Sequence, residues 1–275
     1  MSTQYQSPQI MAVLNITPDS FSDGGHFISV DAAFAQARKM VAEGADIIDI
    51  GGESTRPNAK PVSIQEELDR VIPILEKIRA ELPITISVDT SKAEVMQAAI
   101  EAGANIINDV NALRGENCLK TVAAHSDIKV CLMHMQGNPT TMQQHPHYKD
   151  VVEEIKTFLL NRIQACLEQG IAHSRIIIDV GFGFGKTLEH NLQIMNQLQI
   201  FTGLGYPVLI GVSRKSMIGQ VLGKETHERL YGGLALAVLA VQKGATIIRT
   251  HDVAPLVDAL KMAHAVLELD NHSNS

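Results

Sequence analysis

Short β-branched runs alternate with longer amphipathic stretches along this chain. Three of the runs share one frame. Gly44-Ala45-Asp46-Ile47-Ile48-Asp49 recurs as Gly103-Ala104-Asn105-Ile106-Ile107-Asn108 and again as Gly244-Ala245-Thr246-Ile247-Ile248-Arg249. Each frame opens on a glycine able to stop a helix. It continues as the apolar run of a strand buried on both faces and ends on a polar residue. The intervals are near two and four times the roughly 30–35 residues of a strand–helix unit. Filling in the other units predicts eight strands, near 10–15, 46–50, 84–88, 105–108, 128–133, 175–179, 207–211 and 246–249. Phe34, Ala37 and Val41 mark one intervening helical face; Val152, Ile155, Leu159 and Ile163 mark another. Ser63-x-x-Glu66 and Ser91-x-x-Glu94 read as capping boxes that open the second and third helices. Pro73 falls inside the second helix and predicts a kink. Eight alternating units over about 250 residues fit an α/β (β/α)8 barrel, a TIM barrel, better than an open doubly wound sheet.

The connections are unequal. Long irregular loops follow strand one (Thr17 to Val30), strand two (Gly51 to Ser63) and strand five (His134 to Lys149), whereas helix-to-strand turns are as short as Gly-Ala. In such a barrel the loops after strands share one rim and carry the chemistry, so these three read as lids. One domain over residues 1–275 is expected, with 1–8 and 270–275 flexible.

Composition narrows the class. The 275 residues are 45% apolar and 19% charged, which excludes global disorder. Acidic residues outnumber basic ones by 30 to 23, a net charge of −7, against a nucleic-acid or anionic-membrane surface. The longest apolar run, Leu230 to Val241, is too short for the ~18–20 residues of a spanning helix. The polar start carries no secretory pattern. Cys118, Cys131 and Cys166 lack metal-ligand spacing and read as small buried thiols in a reducing cytoplasm.

Polar residues collect where strands end: Asn15, Asp49, Asp89, Asn108, His134, Asp179, Ser213-Arg214-Lys215 and Arg249-Thr250-His251. Capping of the next helix is an equal alternative for Asp49 and Asp89, but not for the whole set. Lys215, Arg249 and His251 come from strands seven and eight, the side where barrels commonly hold a phosphate. Asp89, Asn108 and Asp179 offer acceptors to a flat heterocycle with adjacent N–H donors. Together the halves suit an aromatic ring bearing a phosphorylated arm.

Gly181-Phe182-Gly183-Phe184-Gly185-Lys186-Thr187 lacks the first glycine of a P-loop, its place being taken by Val180. Its third glycine comes too early for a dinucleotide fingerprint. A glycine-dense loop with Phe184 exposed beside it suits close approach to a ligand face; a tight turn with packed Phe residues is the alternative. His125, His134, His145 and His147 lack a completed zinc set and read as solvated loop histidines. Any ion is expected to be Mg2+ shared with ligand phosphates.

These residues resemble bacterial dihydropteroate synthases, the sulfonamide-targeted folate-pathway family, from about Met11 to Leu267. The motifs are Leu14 to Gly25, Asp49 to Pro57, Val88-Asp89-Thr90, Asn108-Asp109-Val110, Met133 to Gly137, Gly181 to Lys186, Ser213 to Ser216 and Arg249 to Val253. Val180 departs from the family, which commonly has Pro before the glycine loop. The resemblance implies a transferase that displaces the pyrophosphate of 6-hydroxymethyl-7,8-dihydropterin pyrophosphate with 4-aminobenzoate, giving 7,8-dihydropteroate.

Carried over by motif, the pterin ring would meet Asp89, Asn108, Asp179, Lys215, Met133 and Gly211. The pyrophosphate would meet Thr55, Arg249, Thr250 and His251. The aminobenzoate would lie near Phe21, Arg56, Pro57, Gly183, Phe184 and Ser213. Asn15 would ligate Mg2+, and Lys215, Asp179, Arg249 and His251 would carry the catalysis. A homodimer is common in the family. Two other readings stay open: a pterin-binding methyltransferase module and a catalytically silent paralogue.

Overall fold

Eight apolar runs form parallel strands that close on themselves in chain order, β1 to β8, with β8 hydrogen-bonded back to β1. The computed structural model describes residues 7–17, 29–54, 59–137, 142 and 146–272. The strands are β1 (Gln9–Asn15), β2 (Ile47–Gly51), β3 (Thr85–Asp89), β4 (Ile106–Asp109), β5 (Lys129–Met133), β6 (Ile176–Asp179), β7 (Val208–Ile210) and β8 (Ile247–Thr250). The helices between and after them are α1 (Val30–Ala42), α2 (Ile64–Glu81), α3 (Ala93–Glu101), α4 (Cys118–Ala123) and α5 (Val151–Glu168). Then come α6 (Leu188–Asn196), α7 (Gln199–Thr202), α8 (Ser216–Leu222), α9 (Leu230–Gln242) and α10 (Val253–His272). The expected (β/α)8 barrel is the fold, and each expected strand lies within about two residues of an observed one.

The echoed frames work as the pattern implies. Gly44, Gly103 and Gly244 sit at φ of +103°, +100° and +94° just beyond α1, α3 and α9, a left-handed turn that glycine adopts without Cβ strain. Ser63 caps α2, its hydroxyl accepting from the Glu66 N–H, and α2 runs through Pro73. Ser91 does not cap. Its hydroxyl instead donates to Asp109 on β4, and Lys92 stands at the start of α3 without a side-chain cap bond. The helix begins one residue later than the spacing implies, and the Ser91 hydroxyl is aimed at Asp109 instead.

Alternation along the strands sorts side chains between two cores. Outward residues such as Ile48, Ile107, Ile178 and Ile210 pack against helix faces that include Phe34, Ala37, Val152, Ile155, Leu159 and Ile163. Inward residues Met11, Ile47, Ile106, Cys131, Ile177, Leu209 and Ile247 pack together as an apolar plug inside the barrel. All three cysteines are buried free thiols. No helix among the described residues is long and apolar enough to cross a membrane.

Candidate active site

Two residues beyond six of the seven plug residues, the same face of the strand reaches the barrel mouth. That step converts Ile47 to Asp49, Ile106 to Asn108, Cys131 to Met133, Ile177 to Asp179, Leu209 to Gly211 and Ile247 to Arg249. The apolar plug therefore carries a polar ring on its upper side. β1 adds Asn15 and β3 adds Ser87 and Asp89.

The ring is tightly wired. Arg249 donates from Nε to Asp49 Oδ2 at 2.6 Å and from Nη2 to Asp89 Oδ2 at 3.0 Å. Asn108 Nδ2 donates to the same Asp49 oxygen at 3.2 Å. Burial, with Asp49 nearby, pushes the Asp89 carboxyl up to about 7 against the pull of Arg249. Burial also raises Asp179, opposed by the Gly181 N–H, 2.7 Å from its Oδ1, and by Lys215, Lys186 and Arg249. Lys215 is drawn down to about 8 by burial and by Arg249, with Asp179 and Asp89 acting the other way. Lys215 Nζ lies 4.2 Å from the centroid of the half-buried Phe184 ring, a cation–π contact. Asp179 and Lys215 thus face one space.

Cations and acceptors do come from the expected strands, but they are not held apart. Arg249 bridges into the acceptor half, because a largely buried guanidinium needs carboxylates to offset lost hydration. Asp49 and Asp89 serve this bridge and cap no helix. Met133 joins Val110, Met135, Met142 and Phe184 in an apolar wall at the mouth. Gly211 leaves its inward position open next to Arg249, whose Cβ is 3.9 Å from where a glycine side chain would begin. His251 Nδ1 is 3.1 Å from Ser213 Oγ, joining the ends of β7 and β8.

Thr250 stands apart. It alternates outward from Arg249, and its hydroxyl accepts from Asp252 N–H at 3.0 Å, towards α10. His134 is not a solvated loop histidine: it is buried, edge-on to Phe158 at 4.9 Å, and bonded to Lys186. His125 is half-buried beside Gln97, and His147 is exposed. Phe21, Thr55, Arg56, Pro57 and His145 lie outside the described residues.

Sequence reasoning passed over Asp49, which weighed equally as a cap, and over Lys186. A signal for Asp49 existed. The three echoed frames end in Asp49, Asn108 and Arg249, and Asp49 accepts a hydrogen bond from each of the other two.

A family model described as pterin binding enzyme matches residues 11–251. The dihydropteroate synthase of Haemophilus influenzae is 54% identical over 258 residues, 94% of each chain. That of Escherichia coli K12 is 48% identical over 97% of this chain and 94% of its own. The chain belongs to the dihydropteroate synthase family. It is a transferase of folate biosynthesis, and its product is 7,8-dihydropteroate.

Solved members of the family superpose closely. The Yersinia pestis enzyme in complex with a sulfonamide drug matches with a TM-score of 0.91 and 46% identity over 95% of both chains. The Xanthomonas albilineans enzyme in complex with 7,8-dihydropteroate matches with a TM-score of 0.87 and 46% identity, over 96% of this chain and 95% of its own.

Proposed function

We propose that the polar ring holds the pterin and pyrophosphate of 6-hydroxymethyl-7,8-dihydropterin pyrophosphate while 4-aminobenzoate attacks from the Phe184 side. The convergence of Asp179, Lys215 and Arg249 on one space carries this assignment. Asp179 and Asn108 face the donor edge of the pterin, and Asp179 makes the charge-assisted contact. Lys215 donates to the ring's acceptors. Met133 lines one of its faces, and Phe184 stands at the aminobenzoate side. The open position at Gly211 admits the flat ring close to the backbone.

The pyrophosphate end falls to Arg249 and His251, with Thr55 contributing from the second loop. Arg249 Nε and Nη2 are held by carboxylates, which fixes the guanidinium plane before substrate arrives. Positive potential there stabilises charge that grows on the leaving group as the methylene–oxygen bond breaks. The electron-rich dihydropterin, with Asp179 on its donor edge, spreads the positive charge left on the methylene. The substitution is therefore largely dissociative. A neutral arylamine then attacks, and the proton its nitrogen sheds as the C–N bond forms passes to water or to the released pyrophosphate, so neither a strong general base nor a catalytic dyad is needed. Phe21, Arg56 and Pro57 of the first two loops would complete the aminobenzoate site beside Ser213, Gly183 and Phe184 and help to exclude water.

Asn15 fits a Mg2+ ligand by chemistry and place. Its carboxamide oxygen is a hard donor at the mouth, 3.6 Å from the open inward position of Gly51. Among the described residues no group of three or more His, Cys, Asp or Glu could hold a metal, so this ion would rest on few protein oxygens, the pyrophosphate and water. When bound it adds Lewis-acid stabilisation of the departing anion.

Dimerisation and compartment belong to the same reading. Val221 and Leu222 on α8, Tyr231 and Leu239 on α9, and Met262 and Val266 on α10 are large exposed apolar side chains on consecutive helices. Such a surface suits a second copy of the chain. Free thiols suit the cytoplasm, and a sulfonamide, the drug class bound in the Yersinia structure, suits the aminobenzoate end. The test is incubation with the pterin pyrophosphate, Mg2+ and 4-aminobenzoate. Formation of pyrophosphate and 7,8-dihydropteroate together is expected, and failure of both rejects the reading. Sedimentation at micromolar concentration tests the dimer.

A further inference from the structure

The glycine loop after β6 has a polarity opposite to that of a phosphate-binding loop. Its carbonyls converge on a cation of the protein's own. Lys186, 3% exposed, donates from Nζ to Gly181 O at 2.8 Å, Phe184 O at 3.0 Å and His134 O at 3.3 Å. Its fourth neighbour is His134 Nδ1 at 3.0 Å. Four acceptors around one nitrogen suit the three N–H donors of an ammonium and leave no place for an amine lone pair. His134 is itself held neutral, because burial and Lys186 drive its ring down to about 2.

The backbone around this nitrogen has no slack. His134 N–H donates to Asp179 O at 2.9 Å, tying β5 to the end of β6. Gly181 stands at φ +68°, and a Cβ there would lie 1.9 Å from His134 O. Tyr148 donates its hydroxyl to Gly185 O at 2.8 Å, and Gly183 N–H donates to Asn191 Oδ1 at 2.8 Å. Lys186 is the central tie of this set.

We propose that Lys186 is a positioning residue: its ammonium holds the glycine loop in the shape that presents Phe184 beside Lys215, and it offsets the charge of Asp179. The proposal rests on the assignment of Asp179 to pterin and Phe184 to aminobenzoate above. The charged groups that face Asp179 are Lys186 from the glycine loop, Lys215 beyond β7 and Arg249 on β8, with the Cys131 thiol on β5. Lys186 faces Asp179, Lys215 and, more remotely, His190 on α6. Burial draws the ammonium to about 7, and the Asp179 carboxylate resists that pull.

Lys186→Met removes charge and donors while keeping the stem; Lys186→Arg keeps the charge. The Asp179 carboxyl is followed by infrared spectroscopy, its C=O band identified by its loss in Asp179→Asn. In Lys186→Met the pH at which that band disappears should rise by about one unit, and Lys186→Arg should hold it near the wild-type value. The KM for aminobenzoate should rise at least ~3-fold in Lys186→Met as the Phe184 support loosens, with a smaller change in kcat. Should Lys186→Met fail to fold, Lys186→Gln, which keeps two N–H donors but no charge, carries the same readouts. A neutral variant with wild-type infrared transition and wild-type KM would overturn the proposal. Unchanged pterin affinity in Asp179→Asn would instead overturn the pterin assignment, and the infrared shift would still decide for or against Lys186.

Discussion

Arg249 and Asp49 meet at 2.6 Å across 200 residues of chain, on strands separated only by β1. The contact joins the last strand of the barrel to the second, and Asp49 is fully buried beneath it. Removing that carboxylate leaves Arg249 with Asp89 alone and Asn108 without its acceptor. Asp49→Ala is expected to cost about 3 kcal/mol of stability, the lower end for breaking a buried pair, as measured by urea denaturation. Asp49→Asn, which keeps an acceptor oxygen, should cost less.

Asp179→Asn keeps the shape of the site but replaces a charged acceptor with a neutral one. Affinity for the pterin pyrophosphate should fall by about 1–3 kcal/mol, read by calorimetry without aminobenzoate. Unchanged affinity would remove Asp179 from the pterin edge.

The pH profile follows from two opposed shifts. Asp89 is pushed up to about 7 and Lys215 down to about 8. The kcat/KM for the pterin substrate should rise with pH through about 7 as Asp89 ionises and fall above about 8 as Lys215 loses its proton. These limbs belong to the coupled ring rather than to either residue alone. A profile flat from about pH 6 to about pH 9 would contradict both roles. The fold should also lose some stability as pH climbs from the ordinary carboxylate range to about 7, because the unfolded chain has by then released a proton that folded Asp89 retains. Thermal melts across that range read the slope.

Gly181→Ala tests the contact between β5 and the glycine loop. The new methyl would meet a backbone oxygen rather than a flexible side chain, and φ is +68° there. A loss of about 2 kcal/mol or more is expected, with weakened pterin binding because the Gly181 N–H is a partner of Asp179. An alanine variant with wild-type stability and affinity would show that the loop tolerates a different path.

The barrel was readable because a strand buried on both faces leaves a continuous apolar run, and because each echoed frame places its glycine just beyond a helix. Ser91 shows the limit of local spacing: the capping pattern is present, but Asp109 on a neighbouring strand takes the hydroxyl. The site was legible where polarity interrupted an apolar strand, as at Asp89, Asn108, Asp179 and Arg249. Which of these bond to one another was not, because Asp49 and Arg249 become neighbours only when the sheet closes. Lys186 was hidden for a related reason. A lysine after a glycine-rich turn looks like a ligand-binding cation until the carbonyls around it are placed.

Closure of the cylinder also has a temporal meaning. Asn15, Asp49, Asp89 and Asn108 emerge early in synthesis, whereas Arg249 arrives on the final strand. Until β8 docks beside β1, the nascent polypeptide holds a cluster of carboxylates without its neutralising guanidinium. A product cut short before that strand would therefore be more than a weakened catalyst. It would be an open sheet with an unpaired edge, the kind of species that cellular quality control removes.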